Sequence, residues 1–279
     1  MGKPLSRSER ITLPNPLPVL ALRNNVLFPY ITLPLSVGRE RSLAAVRYAR
    51  DNGETIGVIA QRDAEIVNPG EEELHTIGTV ARMHRIAETS GGMTFLAQGL
   101  KRFRVTKWAS FDPMLAAEIE PLEEETGSDV ETTALFLNLK SQAQRLVQLV
   151  SGLPNEVQYF IDSIEEPGAL ADLAASHLNV ELEEKQQVLE EIDVRKRVRM
   201  VMSALSREIE LQELRKQIDS EIRGKFDKTQ REMFLREQMK TIQRELGEVE
   251  GAGELDELEK AIEDAGMPTE VRQAATKEL

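Results

Sequence analysis

Two Gly-Lys pairs, Gly2-Lys3 and Gly224-Lys225, are the only places where a phosphate-binding loop could present its lysine. Such a loop needs glycines for close backbone approach and a following serine or threonine for magnesium. Pro4 and Phe226 stand there instead, so ATP binding by that device is excluded. Neither Gly-x-Ser-x-Gly nor His-Glu-x-x-His occurs, which removes two hydrolase arrangements. His75, His84 and His177 are scattered, and two strand-borne histidines nine apart read as ordinary surface or core residues. Carboxylate runs such as Glu123-Glu124-Glu125 sit in solvated acidic stretches where nothing raises a pKa. The chain has no cysteine, which excludes disulfides and thiolate chemistry and fits a reducing compartment. The residues therefore predict no catalytic, cofactor or metal site.

What is left is surface. Lys101, Arg102, Arg104 and Lys107, interleaved with Phe103 and Trp108, have the composition of a single-strand nucleic-acid platform. On a strand, however, Phe103 and Val105 point one way and Arg102 and Arg104 the other, which reads as an amphipathic edge strand. Phe28, Pro29, Tyr30 and Ile31 follow a turn and could present an aromatic-proline contact, with core packing as the competing reading for Phe28 and Ile31. Met233, Phe234, Leu235 and Met239 occupy more than one helix face, and methionine suits the binding of many apolar sequences. Self-association is the competing reading there.

The elements that carry these residues follow from periodicity. Over the first ~120 residues, apolar or β-branched runs recur at Val19–Leu22, Ile31–Val37, Ile56–Ala60, Thr76–Met83, Met93–Ala97, Phe103–Trp108 and Met114–Ile119. Turn signals separate them, and Thr89–Gly92 reads as a hairpin turn. Arg39–Asn52 has helical spacing, so residues 1–120 form a small β-barrel or sandwich carrying one helix. Residues 121–127 are acidic and aperiodic, the pattern of a linker. The period then becomes 3.6. Ser128 with Glu131 predicts a capping box, and three short helices over 128–180, with Val157, Phe160, Ile161 and Ile164 marking the second, form a bundle. Pro167 reads as a helix stop.

From Glu181 to Leu246 the only glycine is Gly224 and no proline occurs, so residues 181–250 read as one long helix. About 66 residues span roughly 100 Å, more than the roughly 50 Å diameter of a compact chain this size. Part of it is expected to project. Leu235, Met239, Ile242, Leu246 and Val249 step by 4, 3, 4 and 3, the coiled-coil spacing, which predicts an assembly face. Residues 251–279 suggest one more short helix. The fold class is α+β: a β-rich domain, then a helical bundle ending in a very long coiled-coil-like helix.

Charge divides the chain. Net charge is −13, with 15 basic and 13 acidic side chains in residues 1–120 against 20 and 35 afterwards. An acidic second half repels phosphate backbones and disfavours nucleic acid as the main partner. No run approaches the ~18 apolar residues of a membrane span. Pro14, Pro16 and Pro18 interrupt the N-terminal apolar stretch, against a signal peptide. Met1-Gly2-Lys3-Pro4-Leu5-Ser6 matches an acylation pattern short enough to arise by chance.

Several strings resemble one family. Leu17-Pro18-Val19-Leu20-Ala21-Leu22-Arg23, Val26-Leu27-Phe28-Pro29 and Leu33-Pro34-Leu35-Ser36-Val37-Gly38-Arg39 are similar to the opening of the bacterial Lon protease N-terminal domain. Ala60-Gln61-Arg62-Asp63, Ile77-Gly78-Thr79-Val80-Ala81 and a Gly99-Leu100 turn continue it. The run from Lys228 to Gly247 resembles the family's long-helix signature nearly throughout. Asn24 departs from a frequent aspartate, which should alter a turn only. The resemblance implies a cytoplasmic, hexameric, ATP- and magnesium-dependent serine protease that degrades damaged, misfolded and selected regulatory proteins. Its ATPase module and Ser-Lys dyad would lie C-terminal to Leu279, so this piece alone should hydrolyse neither ATP nor peptides. Residues 1–120 would recognise unfolded substrates and the long helix would join copies. The rival is a free-standing chaperone or adaptor with a coiled-coil oligomerisation helix.

Overall fold

A mixed sheet is built from β1 (Leu17–Leu22), β2 (Thr32–Val37), β3 (Thr55–Ala60), β4 (Ile77–Thr89), β5 (Gly92–Ser110) and β6 (Leu115–Pro121), with burial alternating along β2 and β5 and continuous along β1 and β3. The computed structural model describes residues 13–125, 127, 129–150, 152, 154, 156–245, 257–258, 260–262, 264–268, 271–272 and 275, with backbone alone at 223–229 and 245. Strand order is β2-β5-β4-β3-β1-β6, and β5 also pairs with β6. Strands β5, β4, β3, β1 and β6 therefore form a closed ring of pairings, with β2 added to the first half of β5. The parallel β1–β3 pair needs a crossover, which carries α1 (Glu40–Asp51).

One long strand replaces two expected ones. The predicted Gly99-Leu100 turn lies inside β5, where Val80 faces Lys101 and Ala81 faces Gly99. Leu100 is thus the extra residue of a bulge. The glycine serves close approach, not a turn: a Cβ on Gly99 would sit 2.1 Å from the Phe28 carbonyl oxygen. Nineteen residues let β5 serve β2 near its start and β6 near its end.

Helices α2 (Val130–Leu149), α3 (Glu156–Ser163), α4 (Pro167–His177), α5 (Leu182–Glu190) and α6 (Val194–Glu245) follow. Three local expectations need correction. The cap of α2 is Asp129, whose carboxylate accepts from Thr132 N at 2.8 Å, while Glu131 pairs with Arg199; Ser128 lies outside the described residues. Pro167 opens α4 at its first turn, where its missing N–H costs nothing. Phe160 is exposed, so the buried stripe of α3 rests on Ile161.

The helix expected to begin at Glu181 is divided at residues 191–193 without glycine or proline. Asp193 Oδ1 accepts from Arg195 N at 2.9 Å and starts α6 as an N-cap would. Glu125 fixes the break from outside, donating to the Ile192 carbonyl at 3.3 Å and accepting from Val194 N at 3.2 Å. The segment expected as an acidic linker is therefore docked at Glu125 and at Leu122, whose N–H donates to the Arg102 carbonyl.

The chain separates into two compact units, Met1–Glu213 and Leu214–Leu279. In the first, Leu20, Val46, Ile56, Met83 and Phe95 pack α1 on the sheet. A second cluster joins Val26, Phe28, Ala60 and Ile77 to Leu139, Leu170, Val188 and Val201 of the helices, so strands and helices share one core. In the second unit the described side chains of α6 are exposed, among them Leu214, Ile218 and Ile222.

Candidate functional site

Arg102 is 2% exposed, and its surroundings decide what the basic cluster does. Its strand is not an edge: β4 and β6 flank it, and helices cover the face that alternation assigned to solvent. Nη1 and Nη2 donate to the two carboxylate oxygens of Asp172 in α4 at 2.8 and 2.6 Å. Nη1 also donates to Glu124 at 2.8 Å, and Nε to the Leu189 carbonyl at 2.8 Å. Arg197 of α6 completes the cluster, with Nη2 2.9 Å from Glu124 in ionic contact and Nη1 donating to the Glu191 carbonyl at 3.2 Å. Burial opposes the Arg102 charge, but Asp172 and then Glu124 outweigh it and hold the guanidinium above its ordinary range. A Cβ on Gly168 would lie 2.6 Å from Arg197 Nη2, so a glycine there lets α4 reach the cluster. These charges are spent on joining strand to helix. The nucleic-acid reading loses Arg102 and the wholly buried Phe103 together.

Two of the three histidines have partners on the protein. His75 is buried, with Nδ1 3.5 Å from Glu190 and Nε2 3.8 Å from Glu183. His84 Nε2 lies 3.0 Å from Gln98 Oε1. Among the described residues no group of three His, Asp or Glu could hold a metal ion.

The proposed contact residues separate by burial. Phe28 is wholly buried, and Pro29 is buried beside it, which withdraws both from a binding surface. The close approach at Gly99 explains this, because it seats the Phe28 carbonyl against β5 and turns the ring into the helix-side core. Tyr30 is 49% exposed at φ +65°, and Ile31 is half-buried. On α6 the picture is opposite: Met233, Phe234, Leu235, Met239 and Ile242 are all exposed, from 52% at Leu235 to 69% at Met233. Leu235, Met239 and Ile242 share a face by their spacing, with Met233 and Phe234 on adjoining faces. Leu246 and Val249 lie outside the described residues.

Sequence reading missed two features. Leu137 of α2 and Tyr159 and Phe160 of α3 are exposed apolar groups, Tyr159 at 74%. Their helical spacing resembles that of buried neighbours, so no local signal separated them. Arg23 and Arg39 meet in a cleft beside α1, and their distance in sequence concealed the pairing.

With its paired charges and its bare helical apolar side chains, this α+β fold belongs to the class of binding modules. Residues 16–207 match the family described as the ATP-dependent protease La (LON) substrate-binding domain. The chain is 42% identical over 270 residues to Lon protease 2 of Myxococcus xanthus, covering 96% of this chain and 33% of that protein. It is 42% identical over 282 residues to the Lon protease of Anaeromyxobacter dehalogenans, again 33% of that protein. The chain thus spans about a third of the length of these relatives. The N-terminal domain of Mycobacterium avium complex Lon protease has the same fold, with TM-score 0.58 and 21% identity over 68% of this chain and 97% of that one. The chain belongs to the Lon substrate-binding domain family. No helix among its described residues is long and apolar enough to cross a membrane.

Proposed function

We propose that the chain captures unfolded segments of damaged or regulatory proteins through exposed apolar side chains and passes them to an ATP-dependent serine protease. The observation that carries this reading is the run of exposed Met233, Phe234, Leu235, Met239 and Ile242 in a member of a substrate-binding family. Several weak apolar contacts suit clients of no fixed sequence, and copies held together gain effective concentration. Tyr30, Tyr159 and Phe160 are the matching candidates in the first unit. The acidic charge of the chain opposes aggregation of such surfaces.

In the same reading, Leu235, Met239 and Ile242 belong to a coiled-coil seam between copies. The complete protein would be a cytoplasmic hexamer using ATP and magnesium outside this chain. A titration with native and unfolded forms of one client tests capture. Binding of the unfolded form alone supports it; equal affinity for both overturns it. The chaperone or adaptor reading predicts the same capture without stimulation of proteolysis when the client is offered to the full-length protein.

A further inference from the structure

A cleft of about 340 Å³ opens where the end of β1 meets the end of β2 and the start of α1. Leu22, Leu35 and Val37 supply apolar walls, and Arg23, Arg39 and Ser42 supply the polar ones. The charge here is unbalanced. Among the described residues Arg39 donates only to neutral acceptors: the Ala21 carbonyl at 2.6 Å, the Val67 carbonyl at 3.1 Å and Gln61 Oε1 at 3.2 Å. Burial, and then the charge of Arg23, hold its guanidinium below the ordinary range. Arg23 Nε is buried with no hydrogen-bond partner among the described residues. Neither arginine forms an ion pair with a described carboxylate, in contrast to Arg102 and Arg197. A buried N–H without a partner costs free energy that an incoming acceptor would recover. Arg39 caps α1 with no side-chain hydrogen bond to the first turn, so the positive end of that helix faces the same region.

We infer that this cleft is a subsite for a carboxylate carried beside an apolar side chain on a captured polypeptide, either its chain end or an acidic residue. Arg39 keeps N–H donors beyond those on its three neutral acceptors and Arg23 adds its own, enough for both oxygens of a carboxylate; a phosphate dianion would bring no side chain to the apolar walls. The apolar walls take the neighbouring side chain and desolvate the ion pair, which strengthens it. The inference rests on the capture reading, because it adds a chemical preference to what is captured.

The test is amide chemical-shift mapping on the full 279-residue chain. Its titrants are N-acetyl-leucine, N-acetyl-leucinamide, a capped leucine-flanked glutamate peptide amide and inorganic phosphate. N-acetyl-leucine should give saturable shifts at Arg23, Gly38, Arg39 and Ser42, and the amide should bind roughly tenfold or more weakly. A response to the glutamate peptide in place of N-acetyl-leucine would assign the carboxylate to an internal acidic residue. Arg23→Gln should abolish that discrimination and Arg23→Lys should retain part of it. Because Arg23 Nε has no partner among the described residues, its replacement should leave the rest of the spectrum in place. Equal binding of acid and amide, phosphate binding as tight as N-acetyl-leucine, or shifts confined elsewhere would overturn the assignment. Loss of the carboxylate preference with intact binding of unfolded clients would sink the subsite alone. Absence of any client binding would sink the capture reading, whatever the small ligands do.

Discussion

Val194, Val198, Val201, Leu205 and Ile209 repeat along α6 much as Leu235, Met239 and Ile242 do, yet the first set is buried and the second bare. The difference lies in what surrounds the helix. Leu139, Leu170, Val188 and their neighbours on α2, α4 and α5 close over the early turns. Beyond Leu214 the described side chains have no such cover. Helical spacing specifies which face is apolar; only the tertiary partners specify whether water sees it. Covered positions hold the fold, and uncovered ones are free for a ligand.

The comparison can be broken most severely at the ionic cluster that anchors the covered half. Asp172→Ala removes the wholly buried one of the two carboxylates that Arg102 and Arg197 share, leaving Glu124 alone between two buried guanidiniums, a loss of about 3–5 kcal/mol. Urea unfolding of the first unit should show it as a lower midpoint. Leu205→Ala removes a wholly packed side chain from the same half and should cost about 2–4 kcal/mol in the same measurement. A value under ~0.5 kcal/mol at Leu205 would mean that the covered stripe is not what stabilises this unit.

Residue by residue, the legible parts were those governed by local rules. The β4–β5 hairpin, the strand runs and α1 follow from period-two alternation and turn residues. Gly99 misled because a glycine marks a close approach as readily as a turn, and only the distant Phe28 carbonyl tells which. The division at residues 191–193 was hidden because its causes are Asp193, a capping side chain, and Glu125, a residue far away in sequence. Arg102 was assigned to solvent by alternation, which fixes the side of the strand and cannot see α4 arriving with Asp172. Of the contact residues, Phe28 was lost to a core that local sequence does not describe.

A smaller effect should appear in acid. The hydrogen bond from His75, opposed by burial and aided by Gln186, holds the Glu190 carboxyl below its ordinary range. A carboxyl depressed in the folded state adds stability above its unfolded pKa of about 4.3, and that stability disappears as pH falls through the lower folded value. Glu190→Gln should therefore lower stability modestly near pH 7 and flatten its decline below pH ~4.3, so that variant and parent converge in acid. An unaltered acid limb would remove this pair from the seam between β4 and α5.

The least effect on stability belongs to the bare half, and there it carries the most information. Replacing Leu235, Met239 and Ile242 together by serine removes apolar groups that water already reaches, so unfolding of the first unit should shift by less than ~0.5 kcal/mol. Client affinity and self-association should respond differently according to what these residues do. Loss of unfolded-client binding at a protein concentration where the parent is monomeric assigns them to capture. Loss of sedimentation-detected self-association with client binding intact assigns them to a seam between copies. Should the triple variant instead unfold the first unit as severely as Leu205→Ala, the contrast between the two stretches of α6 would be false, because the later turns would then be covered as well.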